Sequence, residues 1–288
     1  MVKFTLSGPP TQAKAYKALL SAEMQAELSE NGLVGPAHFI NNGLRLERDQ
    51  CAKYSLLPFP SLIPFVRLKI LVMLSNKKPT ATQSEAIRKA RQKLQQGLVA
   101  WRQNQFEFCP LLRLSIDAVD PASPEREKLL LPSSFNEALR KRFELTSLAI
   151  IEYKLREGQA YDALGDLREK IKIFNVNLDF KKKNVFGQGP NTRVQDFLKQ
   201  LTADKVTAAD KYRIAYQALI HLGLSKGETE LQELRDDELF GKDASRLAKL
   251  GDSKNGDPWF WTVGRPQGLS AKEQAEWSLE CRFYFFVL

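Results

Sequence analysis

Two runs of helix-spaced apolar residues flank a glycine-rich turn, and together they leave this chain few folds to choose from. Leu148, Ile151 and Leu155 step by three and four; after a shift of phase at Gly158, Ala160, Leu164, Leu167, Ile171, Phe174 and Leu178 continue the spacing. Beyond "KKKNVFGQGPNTR", Phe197 and Leu201, then Ala208, Tyr212, Ala215, Leu219 and Leu222 repeat it before Gly223. A helix brings residues three and four apart onto one face, so each run is an apolar stripe. The spacing predicts a long helix over about 135–182, a basic turn, and an antiparallel helix over 191–222 capped by Gly223. The first helix would span roughly 70 Å at about 1.5 Å per residue. Gly158 and Gly165 are therefore where a bend or a change of seam is expected. The fold class expected is all-α: an extended helical hairpin or bundle with coiled-coil character.

The flanks fit that class. Residues 1–50 hold N-terminal helices, one over 11–31 with Tyr16, Leu19, Leu20, Met24 and Leu28 on its apolar side, and a further one from "HFINNGLRLERDQ". A basic helix is expected within 79–110, where Thr82 and Glu85 have the spacing of a capping box. Its Ile87, Leu94, Leu98, Trp101 and Phe108 form a heptad seam, and Pro110 stops it. The Pro- and charge-rich 111–132 reads as a linker, followed by a second box of Ser134 and Glu137 at the head of the 133–224 hairpin. Residues 225–288 read as short helices, one acidic over "SKGETELQELRDDELFG" and one after Ser270, around the aromatic loop "PWFWT". Such a loop folds its rings onto a neighbouring helix or leaves them free to stack on bases. No run of alternating strands is evident.

The net charge of +9 is unevenly placed: residues 51–110 carry ten basic and two acidic groups, whereas residues 201–288 carry twelve and fourteen. Two basic groupings are candidate contacts to phosphates. Arg88, Lys89, Arg91 and Lys93 lie on the 79–110 helix; Lys181, Lys182, Lys183 and Arg193 lie at the hairpin tip. Solvated helix faces account for the same residues.

Catalytic constellations do not assemble. Only two histidines exist, His38, placed in a loop, and His221, placed in a last helical turn facing the helix dipole. Cys51, Cys109 and Cys281 lie far apart, without the paired spacing of a zinc site, and suit a reducing compartment. "GQGPNT" lacks the third glycine of a nucleotide loop, and Pro190 removes an N–H donor. Asp117, Asp120 and Glu125 cluster in the linker with no sheet to hold them. The expectation is a non-enzyme with no metal and no cofactor. The N-terminus shows no apolar run of a secretory signal.

Several segments, in order, resemble one family. "LREGQAYDALGDLREKI" (155–171), "GQGPNTRVQDFL" (187–198), "ADKVTAADKYRIAYQALIHLGL" (203–224) and "AKLGDSKNGDPWFWTVGRPQGLSAKEQAEW" (248–277) look like the C-terminal region of the Kyakuja–Dileera–Zisupton (KDZ) transposases of fungal genomes. "GLRLERDQ" (43–50), "RQKLQQGLVAWRQNQFEFCP" (91–110) and "EREKLLLPSSF" (125–135) are similar to segments preceding it. The resemblance implies a transposase-derived helical module without the nuclease core and cysteine-cluster domain that lie upstream in full-length relatives. No catalytic residue carries over. DNA association, self-association through the heptad seams, or a remnant without a function are the readings it leaves open. DNA association would place the protein in the nucleus.

The apolar "YSLLPFPSLIPFVRLKILVML" (54–74) is long enough to span a bilayer, but Pro58, Pro60, Pro64, Arg67 and Lys69 interrupt it. No membrane span is expected. The family-like text stops at Gln50 and resumes near Pro79. Residues 51–78 and 281–288 therefore read as intron-derived text in a gene annotation, which transcript reads joining Gln50 to about Asn76 would establish.

Overall fold

The computed structural model describes residues 9–26, 35–50, 80–115, 123–225, 230–239 and 258–264. Among them every regular element is helical: α1 (Gln12–Ala26), α2 (Pro36–Gln50), α3 (Ala81–Phe108), a short α4 (Glu137–Arg142), α5 (Thr146–Asn184) and α6 (Gln188–Leu222), with 3-10 turns between some of them. No strand occurs among the described residues. The stretch 54–74, the segments 51–78 and 281–288, the helix expected after Ser270, Cys51, Cys281, Asp117 and Asp120 lie outside them.

The chain forms two compact units, one from 12–158 with 217–224, the other from the described parts of 1–11, 159–216 and 225–288. The core of the first joins Phe39, Ile40 and Leu44 of α2 to Leu94, Leu98 and Trp101 of α3 and to Leu145, Leu148 and Leu155 around the start of α5. Phe39 stacks on Trp101 at 5.1 Å and on Phe108 at 5.0 Å between centroids. Trp101 Nε1–H donates to the Phe39 carbonyl at 3.1 Å, so the one polar atom of the ring is satisfied in the core. Gly43 makes room for this packing, because a Cβ there would come within 2.9 Å of the Leu131 side chain and 3.0 Å of the Trp101 ring. The heptad seam of α3 is thus used inside the chain, with Ile87 and Phe108 packed at its ends.

The linker expected at 111–132 is packed over its second half. Pro124, Glu125, Leu129, Leu131, Pro132 and Ser133 are all buried. Gln50 Nε2 donates to the carbonyls of Pro124 and Glu127 at 3.1 and 3.0 Å, and Gln105 Nε2 to that of Leu129 at 3.0 Å. A segment with few hydrogen bonds of its own is strapped down by amides from α2 and α3.

Both expected capping boxes are displaced. α3 begins at Ala81, so Thr82 lies inside it, and Glu85 binds Arg88 instead of reaching back. Ser134 ends a 3-10 turn, and Asn136 caps α4 by accepting from the Leu139 N–H at 2.9 Å. The helix expected over 135–182 is broken at 143–145. Glu144 takes φ 57°, and the N–H groups of Glu144 and Leu145 return to the carbonyls of Lys141 and Arg140 at 3.3 and 2.9 Å. This pair is the closure of a Schellman motif, with glutamate in the left-handed place. The expected bend at Gly158 is not a break, since α5 continues through it. The phase shift instead marks the boundary between the units, which falls between Gly158 and Gln159: the stripe before it serves one core and the stripe after it another.

In the second unit Ala160, Leu164, Leu167 and Ile171 of α5 are buried with Leu198, Leu201, Ala208, Tyr212 and Ala215 of α6. Lys211 Nζ binds Asp166 at 2.8 Å, Lys205 lies over the Phe174 ring at 5.0 Å, and Lys181 bonds to Gln195. One number rises as the other falls by nearly the same amount, which is the register of an antiparallel pair. Phe197 departs from the expected seam. It is exposed, and Leu198 takes the buried place.

The acidic helix expected after 225 is not formed over 230–239, which holds only a 3-10 turn, Asp236–Glu238. Tyr212 O–H donates to the Gln232 carbonyl at 2.5 Å, and Arg213 to the Leu234 carbonyl at 3.1 Å and the Asp236 carboxylate at 2.6 Å. These donors take carbonyls that a helix would use, and Leu231, Leu234 and Leu239 are buried in return. The aromatic loop folds inward: Phe260 is fully buried and Trp259 sits 5.8 Å from the Tyr212 ring. α6 ends as expected. Gly223 at φ 108° sends its N–H to Ile220 and the next N–H, of Leu224, to Leu219, at 3.1 and 2.9 Å.

Candidate nucleic-acid interface

The hairpin tip is tighter than its sequence suggests. Only Val185, Phe186 and Gly187 separate α5 from α6. Gly187 reverses the chain at φ 89°, a conformation that side chains with a Cβ rarely adopt. Pro190, expected in a loop, falls in the first turn of α6, where its missing N–H would have had no helical acceptor.

Lys181, Lys182 and Lys183 occupy the last turn of α5, where their charge meets the negative end of the helix dipole. Lys181 Nζ bonds to Gln195 Oε1 and so ties the two helices together. Lys182 stands 3.8 Å from Asp179 on its own helix. Lys183 and Arg193 are exposed, and neither forms an ion pair among the described residues. The tip thus offers two unengaged cations, one held loosely by an exposed pair, and one engaged in structure.

The same tip exposes three phenylalanines that the sequence reading missed: Phe180 at 55%, Phe186 at 77% and Phe197 at 43%. A signal for two of them was present. Phe180 falls two residues after Leu178, off the apolar stripe, and Phe186 adjoins the turn glycine. Phe197 fitted the stripe and was displaced by its neighbour.

The α3 grouping has a different fate. Arg88 donates two bonds of 2.8 Å to Glu85, which Lys89 also approaches at 3.6 Å. Those hydrogen bonds from Arg88 hold the Glu85 carboxyl down to about 2. Arg91 pairs at 2.7 Å with the buried Glu125, and Lys93 is exposed. Arg102 is buried and binds Glu127, the Lys128 carbonyl and, at 3.1 Å, the Leu129 carbonyl. Much of the positive charge of α3 is therefore spent on this chain's own acids.

Among the described residues, no group of three or more His, Cys, Asp or Glu side chains could hold a metal ion. His38 lies on α2, not in a loop, with Nδ1 2.7 Å from the Tyr16 hydroxyl. His221 stands in the last turn of α6, its Nδ1 3.3 Å from the Ser133 carbonyl oxygen. Burial pushes the Cys109 thiol up to about 11. No helix among the described residues is long and apolar enough to cross a membrane. Comparison with protein-family models, with curated proteins and with solved structures gives no match.

Proposed function

We propose that this chain is a non-catalytic helical module, of KDZ-transposase descent, that holds DNA by its phosphates through the α5–α6 tip. One observation carries the contact: Lys181, Lys182 and Lys183 in the last turn of α5 and Arg193 near the start of α6 lie at one hairpin tip, and Lys183 and Arg193 are left without an acidic partner among the described residues. Cations in that arrangement displace counterions from a phosphate backbone without reading bases. Arg88, Lys89, Arg91 and Lys93 are secondary in this reading, because three of the four are engaged with Glu85 or Glu125.

Four neutralised phosphates give a slope of log affinity against log salt of roughly −4 on duplex DNA. Fluorescence anisotropy over a salt series measures it. Lys181→Glu, Lys182→Glu and Lys183→Glu together should abolish binding at physiological salt. Unchanged binding by that variant sinks the proposal.

A protein-interaction module is the second reading, and the exposed Val176, Phe180, Phe186 and Phe197 favour it. The heptad seams themselves are filled within the chain, Leu164 and Ile171 being almost wholly buried. Self-association would have to use the exposed rings. A dimer in analytical ultracentrifugation that dissociates on Phe180→Ser with Phe197→Ser would establish this reading in place of the first.

A further inference from the structure

We infer that the α5–α6 tip prefers single-stranded over duplex nucleic acid, its phenylalanines stacking on unpaired bases while the neighbouring cations hold phosphates. The inference rests on the phosphate-binding reading above and deepens it.

Among the other described residues no aromatic side chain is exposed, and Phe39, Trp101, Tyr212 and Phe260 are each at most 3% exposed. Three phenylalanines left in water at one hairpin tip, one in its three-residue turn and one on each helix, are a departure from that pattern. Each has a cation at helical contact spacing or beside it. Phe180 precedes Lys183 by three residues, Arg193 precedes Phe197 by four, and Phe186 follows the lysine run across Asn184 and Val185. By the register of the hairpin Phe180 and Phe197 lie at about one level across it, and Phe186 lies in the turn beyond them. Exposed aromatic rings among exposed cations are the chemistry of strand binding, since every base offers a π face. A duplex hides those faces and would use the cations alone.

Charge complementarity selects among occupants. Residues 176–199 carry five basic and two acidic side chains, and both acids, Asp179 and Asp196, face Lys182 and Lys199 of their own helices. A second copy of this tip would bring like charge against like charge. A polyanion with flat apolar faces answers both halves of the surface.

The test is anisotropy on a labelled oligothymidylate strand and on a duplex of equal length, with flotation on phosphatidylserine vesicles as a third arm. Wild type should bind the strand at least about tenfold tighter. Phe180→Ala, Phe186→Ala and Phe197→Ala together should weaken strand binding by at least about tenfold and change duplex binding less than about twofold. Equal affinities, or an unchanged strand preference in the triple variant, overturn the inference while the phosphate grip stands. Binding to neither nucleic acid overturns both. Binding to vesicles alone overturns both in favour of a membrane surface. All three rings are exposed, so circular dichroism should show the variant folded.

Discussion

Arginine and lysine meet opposite fates in the core of the first unit and at the hairpin tip of the second. In the first, Arg156 is 1% exposed and binds both Glu47 and Glu152, the latter at 3.2 Å. Glu152 also accepts from the backbone N–H and the hydroxyl of Ser133, at 2.8 and 2.7 Å. Arg102 binds Glu127 and carbonyls of the same strap, and Arg91 binds Glu125 within it. Burying such groups costs several kcal/mol per ion, offset here by dense pairing. At the hairpin tip of the second unit, Lys183 and Arg193 stand in water, as do Phe180, Phe186 and Phe197. A count of basic residues therefore does not locate an interface. What distinguishes the regions is whether acids and carbonyls of the same chain are within reach.

The largest effect is expected where that satisfaction is removed. Arg156→Ala leaves Glu47 and Glu152 facing each other without their cation, and Glu152 is fully buried. It should destabilise the first unit by about 3–5 kcal/mol, the range for breaking one side of a buried pair. Urea denaturation followed by circular dichroism measures it. A loss under about 1 kcal/mol would mean that the network is loosely solvated and that the contrast with the tip is one of degree.

This contrast also sets what the sequence could show. Periodicity exposed both long helices, because an apolar stripe has no alternative but burial, and it exposed the α3 seam for the same reason. It did not say what would cover that seam. Phe39 and Leu131 do so from 62 and 30 residues away, a matter of tertiary choice that spacing does not carry. The 123–134 strap was illegible because prolines and charges mark linkers and buried polar straps alike; only Gln50, Arg102 and Gln105 decide between them. The helix expected at 230–239 lost to Tyr212 and Arg213, which claim its carbonyls. At the tip the lysines were legible as a cluster, Phe180 and Phe186 could have been read from their places off the stripe, and Phe197 could not, since it matched the stripe as well as Leu198 did.

A smaller effect, of opposite sign, tests the turns. Glu144 ends α4 in the left-handed conformation that Gly223 takes at the end of α6, with φ 57° against 108°. A side chain in that region is strained by about 1 kcal/mol or more, and glycine is not. Glu144→Gly should therefore stabilise the protein by about 0.5–1 kcal/mol in the same urea measurement, net of the entropy gained by the unfolded chain. Destabilisation would show that the Glu144 side chain contributes more than its backbone conformation costs.

The smallest effect on stability belongs to the tip, and there it is the most informative. Lys183→Ala and Phe186→Ala remove side chains that are mostly in water, so neither leaves a cavity or an orphaned partner. Each should change unfolding free energy by no more than about 0.5 kcal/mol. A residue fixed by folding would not be left so free of consequence, whereas a residue fixed by a ligand would show its effect only in binding. Denaturation and anisotropy on the same two variants separate these cases. A stability loss above about 1 kcal/mol would move the tip into the class of Arg156, as part of the scaffold. Unchanged stability with weakened binding would place its cost wholly on the complex, which is the signature of a surface built for something outside the chain.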